Sequence, residues 1–433
     1  RKADTTLAKS SGQATDSTLM EESRKKSPFT RAVKNIVWGH IWSDTTGFSF
    51  TYGGLINLKS LSFNTVDGFI YGFDFRFNKQ YKKNRSLGFY PEVRYAFSRE
   101  KVMWRLNTNY STGGLHPKQI FLRTGMASKD IGTGGGINPL LNSISSLLFR
   151  KNYLKLYESR FMTLGYGTEI TNGMKLEISG GFEDRLVLEN NTDFSIFRPS
   201  RKYTDNIPPN EYLTRDSGTV IPLYSQKHYE LGANFTFTPF QKYRVYRGNK
   251  IPEGSDWPTF TFIWKHMVNQ MQVSDRYRHF NMLRFEVSQT HETGPFGEFR
   301  WQAGTGGYLD NRNLPFFDFF HFNSQPLILL IDEYQDAYRI PHYYSLSSPE
   351  FFGEVHLKYT TPYLLLKLLP GLSNTLIREN LSLSYIGRRY HSSYTEIGYT
   401  LSEIFLLGEA GVFIGFDDLK FRAAGVRFSL RLN

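Results

Sequence analysis

Two pairs of residues carry the types a hydrolase needs. His391 and Ser392 are adjacent, and Asp417 and Asp418 lie in a second turn. Brought to one rim, they would supply nucleophile, base and orienting carboxylate, as in a Ser-His-Asp site. Adjacent polar residues in a turn more often serve only the turn. No HExxH or GxSxG stretch is present, and the ten histidines take no metal-ligand spacing. The chain has no cysteine, which excludes disulfides and thiolate-metal centres. The run GTGGG lacks a following GK[ST], so it is not a phosphate loop. Gly134, Gly135 and Gly136 read instead as a hinge before a helix, with Asn138 as N-cap and Pro139 at the first position. Leu140, Leu141, Ile144, Leu147 and Leu148 would line one face of that helix. It would plug a lumen, lie on a rim or dock a partner. No catalytic residue, cofactor or metal site is expected.

The elements that must position such residues are strands. In KHYELGANFTFTPF (227–240), Tyr229, Leu231, Phe235 and Phe237 alternate with His228, Glu230, Asn234 and Thr236. In GFIYGFDFRFNK, Phe73 and Phe75 alternate with Asp74 and Arg76. Sixteen such stretches occur: 48–60, 68–79, 86–98, 101–112, 116–127, 158–170, 173–187, 226–238, 256–267, 279–290, 296–307, 349–361, 375–388, 393–402, 408–416 and 420–432. Most run about 9–13 residues, the length that crosses a bilayer at a tilt, whereas strands of soluble sandwiches average about 5–6. Polar faces that mix Gly, Ser, Asn and Thr with opposite charges suit a crowded lumen better than open water. A hairpin closed near Thr293 would set Glu286 opposite Arg300 and Ser288 opposite Glu298. The fold class is therefore all-β: a transmembrane antiparallel β-barrel of about 16 strands with long capping extracellular loops. Tyr229, Leu231, Phe235, Phe237, Phe73 and Phe75 are its candidate lipid-facing residues. No stretch is apolar enough for a transmembrane helix.

The 433 residues divide into a polar periplasmic lead-in or linker, 1–30, and an outer-membrane barrel, 31–433. SPFTRAVKNIVWGHIW, overlapping the boundary, allows a short amphipathic helix with Phe29, Val33, Ile36 and Val37 on one face. The chain begins with Arg, as a processed or partial product would. Aromatics reach 16 %, with 37 Phe and 27 Tyr, although the mean hydropathy is only −0.42. The net charge of +12 is not gathered into a stripe, so nucleic acid is not an expected partner. Outer-membrane lipid and lipopolysaccharide are. The three longest connections, 128–157, 188–225 and 308–348, are all odd-numbered, while TNG (171–173) and HETGP (291–295) are short and even. That places both termini in the periplasm of a bacterial outer membrane. The connection 308–348 carries Phe316, Phe317, Phe319, Phe320, Phe322 and Ile328–Ile331, too apolar for a solvated loop. It reads as a folded cap over the barrel mouth or as a surface for a client protein.

Five strands follow that connection, an order that resembles the 16-stranded barrels of the BamA-type insertase and translocon superfamily. There the corresponding loop enters the lumen and carries a Val-Arg-Gly-Phe/Tyr motif whose Arg pairs with wall carboxylates. The matching stretch is AYRIP, with Arg339 in the Arg position and Ile340 in place of Gly. The resemblance implies that Arg339 pairs with Glu354 on the next strand. TPYLLLKLLPGLSN (361–374) resembles the Pro- and Leu-rich periplasmic turn of that superfamily. SFNTVDGF (62–69) and NPLLNSISSLLFRKNYLKLYE (138–158) resemble a family of Bacteroidota outer-membrane barrels whose members carry an N-terminal carboxypeptidase-regulatory-like domain. This chain would be their barrel portion. That likeness implies location and fold more than function; the insertase-type resemblance implies a part in outer-membrane or surface protein assembly or translocation, within a larger complex of outer-membrane or periplasmic proteins. A channel or structural barrel, and a barrel-rim hydrolase, are the alternatives.

Overall fold

The computed structural model describes residues 28–56, 60–82, 84–132, 136–198, 200–213, 221, 223–271, 274–331, 337–362, 364–366 and 375–430. The expected lead-in lies almost wholly outside these residues. So do Gly134 and Gly135 of the hinge, most of 361–374, and Leu432 and Asn433.

Helix α1 (Pro28–Trp38) opens the described chain, followed by β1 (His40–Ser43), β2 (Phe48–Tyr52) and β3 (Ser62–Asn64). Next come β4 (Gly68–Tyr81), β5 (Arg85–Ala96), β6 (Lys101–Thr112), β7 (Lys118–Asp130), helix α2 (Pro139–Phe149), β8 (Leu156–Thr171), β9 (Met174–Val187) and β10 (Gln226–Phe237). A small hairpin, β11 (Lys242–Tyr246) and β12 (Asn249–Gly254), precedes β13 (Thr259–Met271), β14 (Ser274–Glu292), β15 (Glu298–Tyr308) and the short β16 (Leu329–Ile331). The chain ends with β17 (Phe352–Thr361), β18 (Arg378–Arg388), β19 (His391–Ile404), β20 (Gly408–Asp417) and β21 (Lys420–Leu430).

All but the β11–β12 hairpin join one 19-stranded sheet. Its wall is an antiparallel meander in which each long strand pairs with the next along the chain. The first wall strand is broken: β2 pairs with the lower half of β4 and β3 with the upper end, and the described residues between them, 53–56 and 60–61, are not part of the ladder. With that strand counted once, and with the short β1 that pairs beside β2 and the β16 of the 309–351 segment set aside, the wall has the sixteen expected members. The expected 48–60 strand is shorter for this reason.

Alternation gives the wall two faces. Tyr229 and Leu231 are exposed, and Phe235, Phe237, Phe73 and Phe75 are half-buried among neighbouring rings. Phe237, Phe260 and Phe285 stack across β10, β13 and β14 at 6.3 Å between successive centroids. Phe75 stacks on Tyr52 at 5.5 Å. Such cross-strand pairs are worth about 0.2–1 kcal/mol each. Gly165 stands opposite Phe121, and a Cβ there would come within 2.1 Å of the ring, so glycine leaves the space that Phe121 fills.

The sheet curls around its own loops. Segment 309–351 touches wall strands from β7 to β21, which a flat sheet would not permit. The three long connections, 131–155, 188–225 and 309–351, leave from one end of the wall. At the other end the turns are short, except that 362–377 is longer and 238–258 folds back as the β11–β12 hairpin. That hairpin lies across the short-turn end: Asn249 accepts from Gly114 N–H at 3.1 Å, Asn84 donates to the Arg247 carbonyl at 3.0 Å, and buried Lys250 pairs with buried Glu169.

One register differs from expectation. Glu286 faces Gly304 and Ser288 faces Gln302, while Arg300 faces Thr290. The turn is a 3-10 segment at Gly294–Phe296, closed by Gly297 with φ 112°, so the hairpin axis falls later than Thr293. Arg284 is the partner Glu286 finds.

The face assignment is open to test. Leu231→Arg would put a guanidinium on the outward face and should cost about 2–4 kcal/mol if that face meets hydrocarbon. Asn234→Arg, lining a polar lumen cavity, should be nearly neutral. Urea unfolding in lipid vesicles separates the two, and equal costs would overturn the assignment.

Candidate functional site

The described residues of the 309–351 segment sit inside the wall as a plug rather than over its mouth. Leu314, Phe316, Phe317, Phe319, Phe320, Leu327 and Leu330 are buried, and they form one core with Ile131, Leu141, Leu154, Met267, Phe280 and Tyr308. Apolar burial alone does not fix register, so the plug is also held by polar anchors.

The first anchor is Asp318. Pro315 starts a 3-10 turn, Phe316–Asp318, which aims the carboxylate at three adjacent strands. Arg185 of β9 donates to it at 2.7 Å, Asn269 of β13 donates at 2.7 Å, and His228 of β10 lies 3.6 Å away. Burial pushes the Asp318 carboxyl up, but Arg185 and His228 outweigh that and hold it below the usual carboxylate range. Tyr308 donates its hydroxyl to the Asp318 carbonyl. Phe317 packs edge-on against Tyr157 at 5.0 Å.

The second anchor is Glu396 of β19. It accepts the backbone N–H groups of Arg339 at 2.7 Å and Ile340 at 2.9 Å, and the Tyr394 hydroxyl at 2.6 Å. Arg427 of β21 donates Nε to the Arg339 carbonyl at 3.0 Å. Residues 338–340 thus meet the wall strands β18, β19 and β21, with Tyr338 donating to the Tyr385 carbonyl at 3.2 Å. A third contact joins Tyr343 and Tyr344 to Asp130 at the end of β7.

The expected Arg339–Glu354 pair is not formed. Glu354 accepts from Arg284 at 2.8 Å and lies 3.7 Å from His356, both on the wall. The Arg339 side chain donates to Gln325 within the plug at 2.6 Å. The acidic wall residue that meets this stretch is Glu396, and it takes backbone donors. Ile340, at the position where the resemblance expected glycine, packs with Tyr338, Leu346, Ile386 and Tyr394.

Asp318 and Glu396 were missed from sequence. A lone carboxylate within PFFDFFHF was a signal, because a charge in an apolar run needs a partner. Glu396 gave none, since its role is to accept main-chain donors. At the rim the two turns meet: Asp418 accepts from Ser393 N–H at 2.8 Å and from its Oγ at 3.0 Å, next to Ser392, while Asp417 accepts from Arg422 of β21 at 3.0 Å. Among the described residues no cluster of three His, Asp or Glu has metal-binding geometry.

At the upper part of the wall a cavity of about 430 Å3 remains beside α2, bordered by Arg94, Arg105, Lys129 and Glu92. A second, of about 530 Å3, lies toward the short-turn end, bordered by Lys118, Lys175, Glu177 and Asn234.

At the seam, β21 and the first wall strands do not pair with each other among the described residues. Instead β16, part of the plug, runs parallel to β21, with Leu329, Leu330 and Ile331 beside Phe428, Ser429 and Leu430. Phe428 N–H donates to the Ile328 carbonyl at 2.8 Å.

Asp318→Ala would leave Arg185 with Glu183 as its remaining carboxylate, so the cost should fall below the about 3–5 kcal/mol of a fully broken buried pair. Hydrogen exchange should show loss of protection in 314–322 with the wall strands unchanged. A uniform change would mean the anchor stabilises the barrel as a whole. His321 sets a pH dependence. Burial lowers its pKa from 6.5 to about 4, although it bonds Ser347 at 2.8 Å and the Phe316 carbonyl at 3.0 Å. The released segment binds the proton more readily than the seated one. Seating is therefore full above about pH 6.5 and is lost as pH falls toward 4, by about 3 kcal/mol in all. Proteolysis of the plug across that range should follow this curve, and His321→Gln should flatten it.

Comparison with known proteins gives a family without an assigned activity. Among curated proteins none matches the chain. BamA from Haemophilus ducreyi lacking POTRA domains 1–3 aligns with 96 % of this chain and 77 % of its own, at 8 % identity and a TM-score of 0.44. A triple mutant of Rh. blastica porin aligns with 83 % of this chain and 90 % of its own, at 8 % identity and a TM-score of 0.31. Both likenesses are remote. The C-terminal domain of a family of unknown function (DUF5686) matches residues 34–401, which include the whole plug, and the chain belongs to that family.

Proposed function

We propose that this barrel spans a bacterial outer membrane, termini toward the periplasm, and takes part without catalysis in assembling or translocating other outer-membrane or surface proteins. One observation carries the reading: the hydrogen-bonding edge of β21 is met by three residues of the plug, not by a wall strand. An exposed strand edge is a template for another strand. Here the template is covered by a segment small enough to be displaced, inside a wall whose lumen is otherwise occupied. A client strand would pair with β21 as β16 withdraws. Periplasmic or outer-membrane proteins that deliver the client are the implied partners, along with the surrounding lipid.

The chain has no native cysteine, so a reversible cross-link tests this directly. Leu329→Cys with Phe428→Cys would tie β16 to β21. In cells depleted of the native protein, the tied form should fail to restore outer-membrane protein levels, and reduction should restore them. Equal function of the tied and reduced forms would sink the proposal. If the intact protein instead shows large steady conductance in planar bilayers, the channel reading replaces it.

A further inference from the structure

Helix α2 is amphipathic the wrong way round for a water-facing helix. Leu140 and Ile144 are exposed, with Leu147 and Leu148 half-exposed beside them. Its buried side is mostly polar: Asn142, Ser143, Ser145 and Ser146, with Leu141 as the one apolar member. Those polar groups are satisfied by protein. Ser143 Oγ accepts from Phe63 N–H at 2.8 Å and donates to the Pro139 carbonyl at 2.7 Å. Asn142 accepts from Tyr153 N–H at 3.1 Å and donates to Asn152 at 3.3 Å. The Ser146 carbonyl accepts from Tyr203 at 2.8 Å. Helix faces toward water are ordinarily the polar ones, so this outward side is built for an apolar medium.

The apolar surface extends beyond the helix. The 192–198 loop is strapped to it by Ile196 N–H, which donates to the Leu147 carbonyl at 2.9 Å. That loop exposes Phe194, Ile196 and Phe197. The Phe194 ring lies 5.7 Å from Phe69 and 6.1 Å from Phe63. Phe69 begins the outward aromatic row of β4, so the patch is continuous with the outer face of the wall. A basic edge follows at once. Arg198, Arg201 and Lys202 are exposed, and no acidic side chain pairs with them among the described residues. Apolar residues bordered by basic ones match acyl chains bordered by phosphates.

We infer that α2 and the 192–202 loop form a membrane-seated surface, with the apolar patch among lipid chains and Arg198, Arg201 and Lys202 at anionic, phosphate-bearing headgroups. This rests on the membrane-spanning reading of the wall. It adds that lipid reaches into the long-loop end next to the seam.

Single cysteine reporters test it in the full chain. Ile144→Cys and Phe197→Cys, with Leu231→Cys as the wall reference, carry an environment-sensitive dye in vesicles of phosphatidylcholine with or without phosphatidylglycerol. Brominated acyl chains should quench both loop sites to within about twofold of the wall site, and iodide should not. Phosphatidylglycerol should increase the loop-site quenching, and Arg198→Ser/Arg201→Ser/Lys202→Ser should abolish that increase. If Leu231 is quenched by lipid while both loop sites are open to iodide, this inference fails and the barrel reading stands. If Leu231 is also open to iodide, the barrel reading fails and takes the inference with it. Loop sites shielded from both quenchers would put protein there instead of lipid, which also overturns it.

Discussion

A strand edge cannot stand unpaired in hydrocarbon. Each orphaned N–H or carbonyl there costs several kcal/mol, because no water is present to replace the missing bond. Sixteen antiparallel strands satisfy one another everywhere except at the seam. There, among the described residues, the last three residues of β21, Phe428 to Leu430, take their partners from β16. A plug segment must therefore come down through the lumen, and the remainder of the interior follows from holding it in place.

The holding is done by charge and by main chain. Arg185 and Asp318 form a buried pair whose remaining bonds are made by Asn269 and Glu183. A buried pair of this kind adds little net stability over an apolar packing of equal size, but it penalises any shift of register severely. Glu396 acts differently. Its two backbone acceptor bonds fix the path of residues 339–340 whatever their side chains, which is why Ile340 is accommodated where the resemblance expected glycine. Position is thereby specified twice, at opposite sides of the ring, by β9, β10 and β13 and by β19 and β21.

Much of this was legible in the residues. Period-2 alternation gave every wall strand, because in a barrel each strand has one apolar and one polar side and nothing else competes. Loop parity gave the two ends. The first strand was overdrawn at 48–60 because apolar residues continue past Tyr52 while the chain leaves the wall. The α2 residues were read as one apolar face needing cover, in a lumen, on a rim or against a partner. Its helical extent, its Asn138 cap and its Pro139 start stand as read, yet the interior wanted Asn142 and the serines. Periodicity reports that two faces differ and is silent on which one the protein buries. The Arg339–Glu354 pair failed for a related reason: adjacency in sequence does not measure depth in a lumen, and Arg284 on the neighbouring strand reaches Glu354 first.

The size of β16 bears on what the seam can do. Three paired residues contribute only a few hydrogen bonds, each worth about 0.5–1.5 kcal/mol net. A full-length partner strand would pair along most of the eleven residues of β21. The longer ladder wins once its nucleating bonds form, provided the plug can withdraw without surrendering its anchors. Asp318 lies eleven positions before Leu329 and Arg339 eight after Ile331, so both anchors can stay seated while the intervening segment leaves the edge. On the proposed strand exchange, the lumen stays filled by the two anchored parts of the plug while the edge of β21 is exchanged.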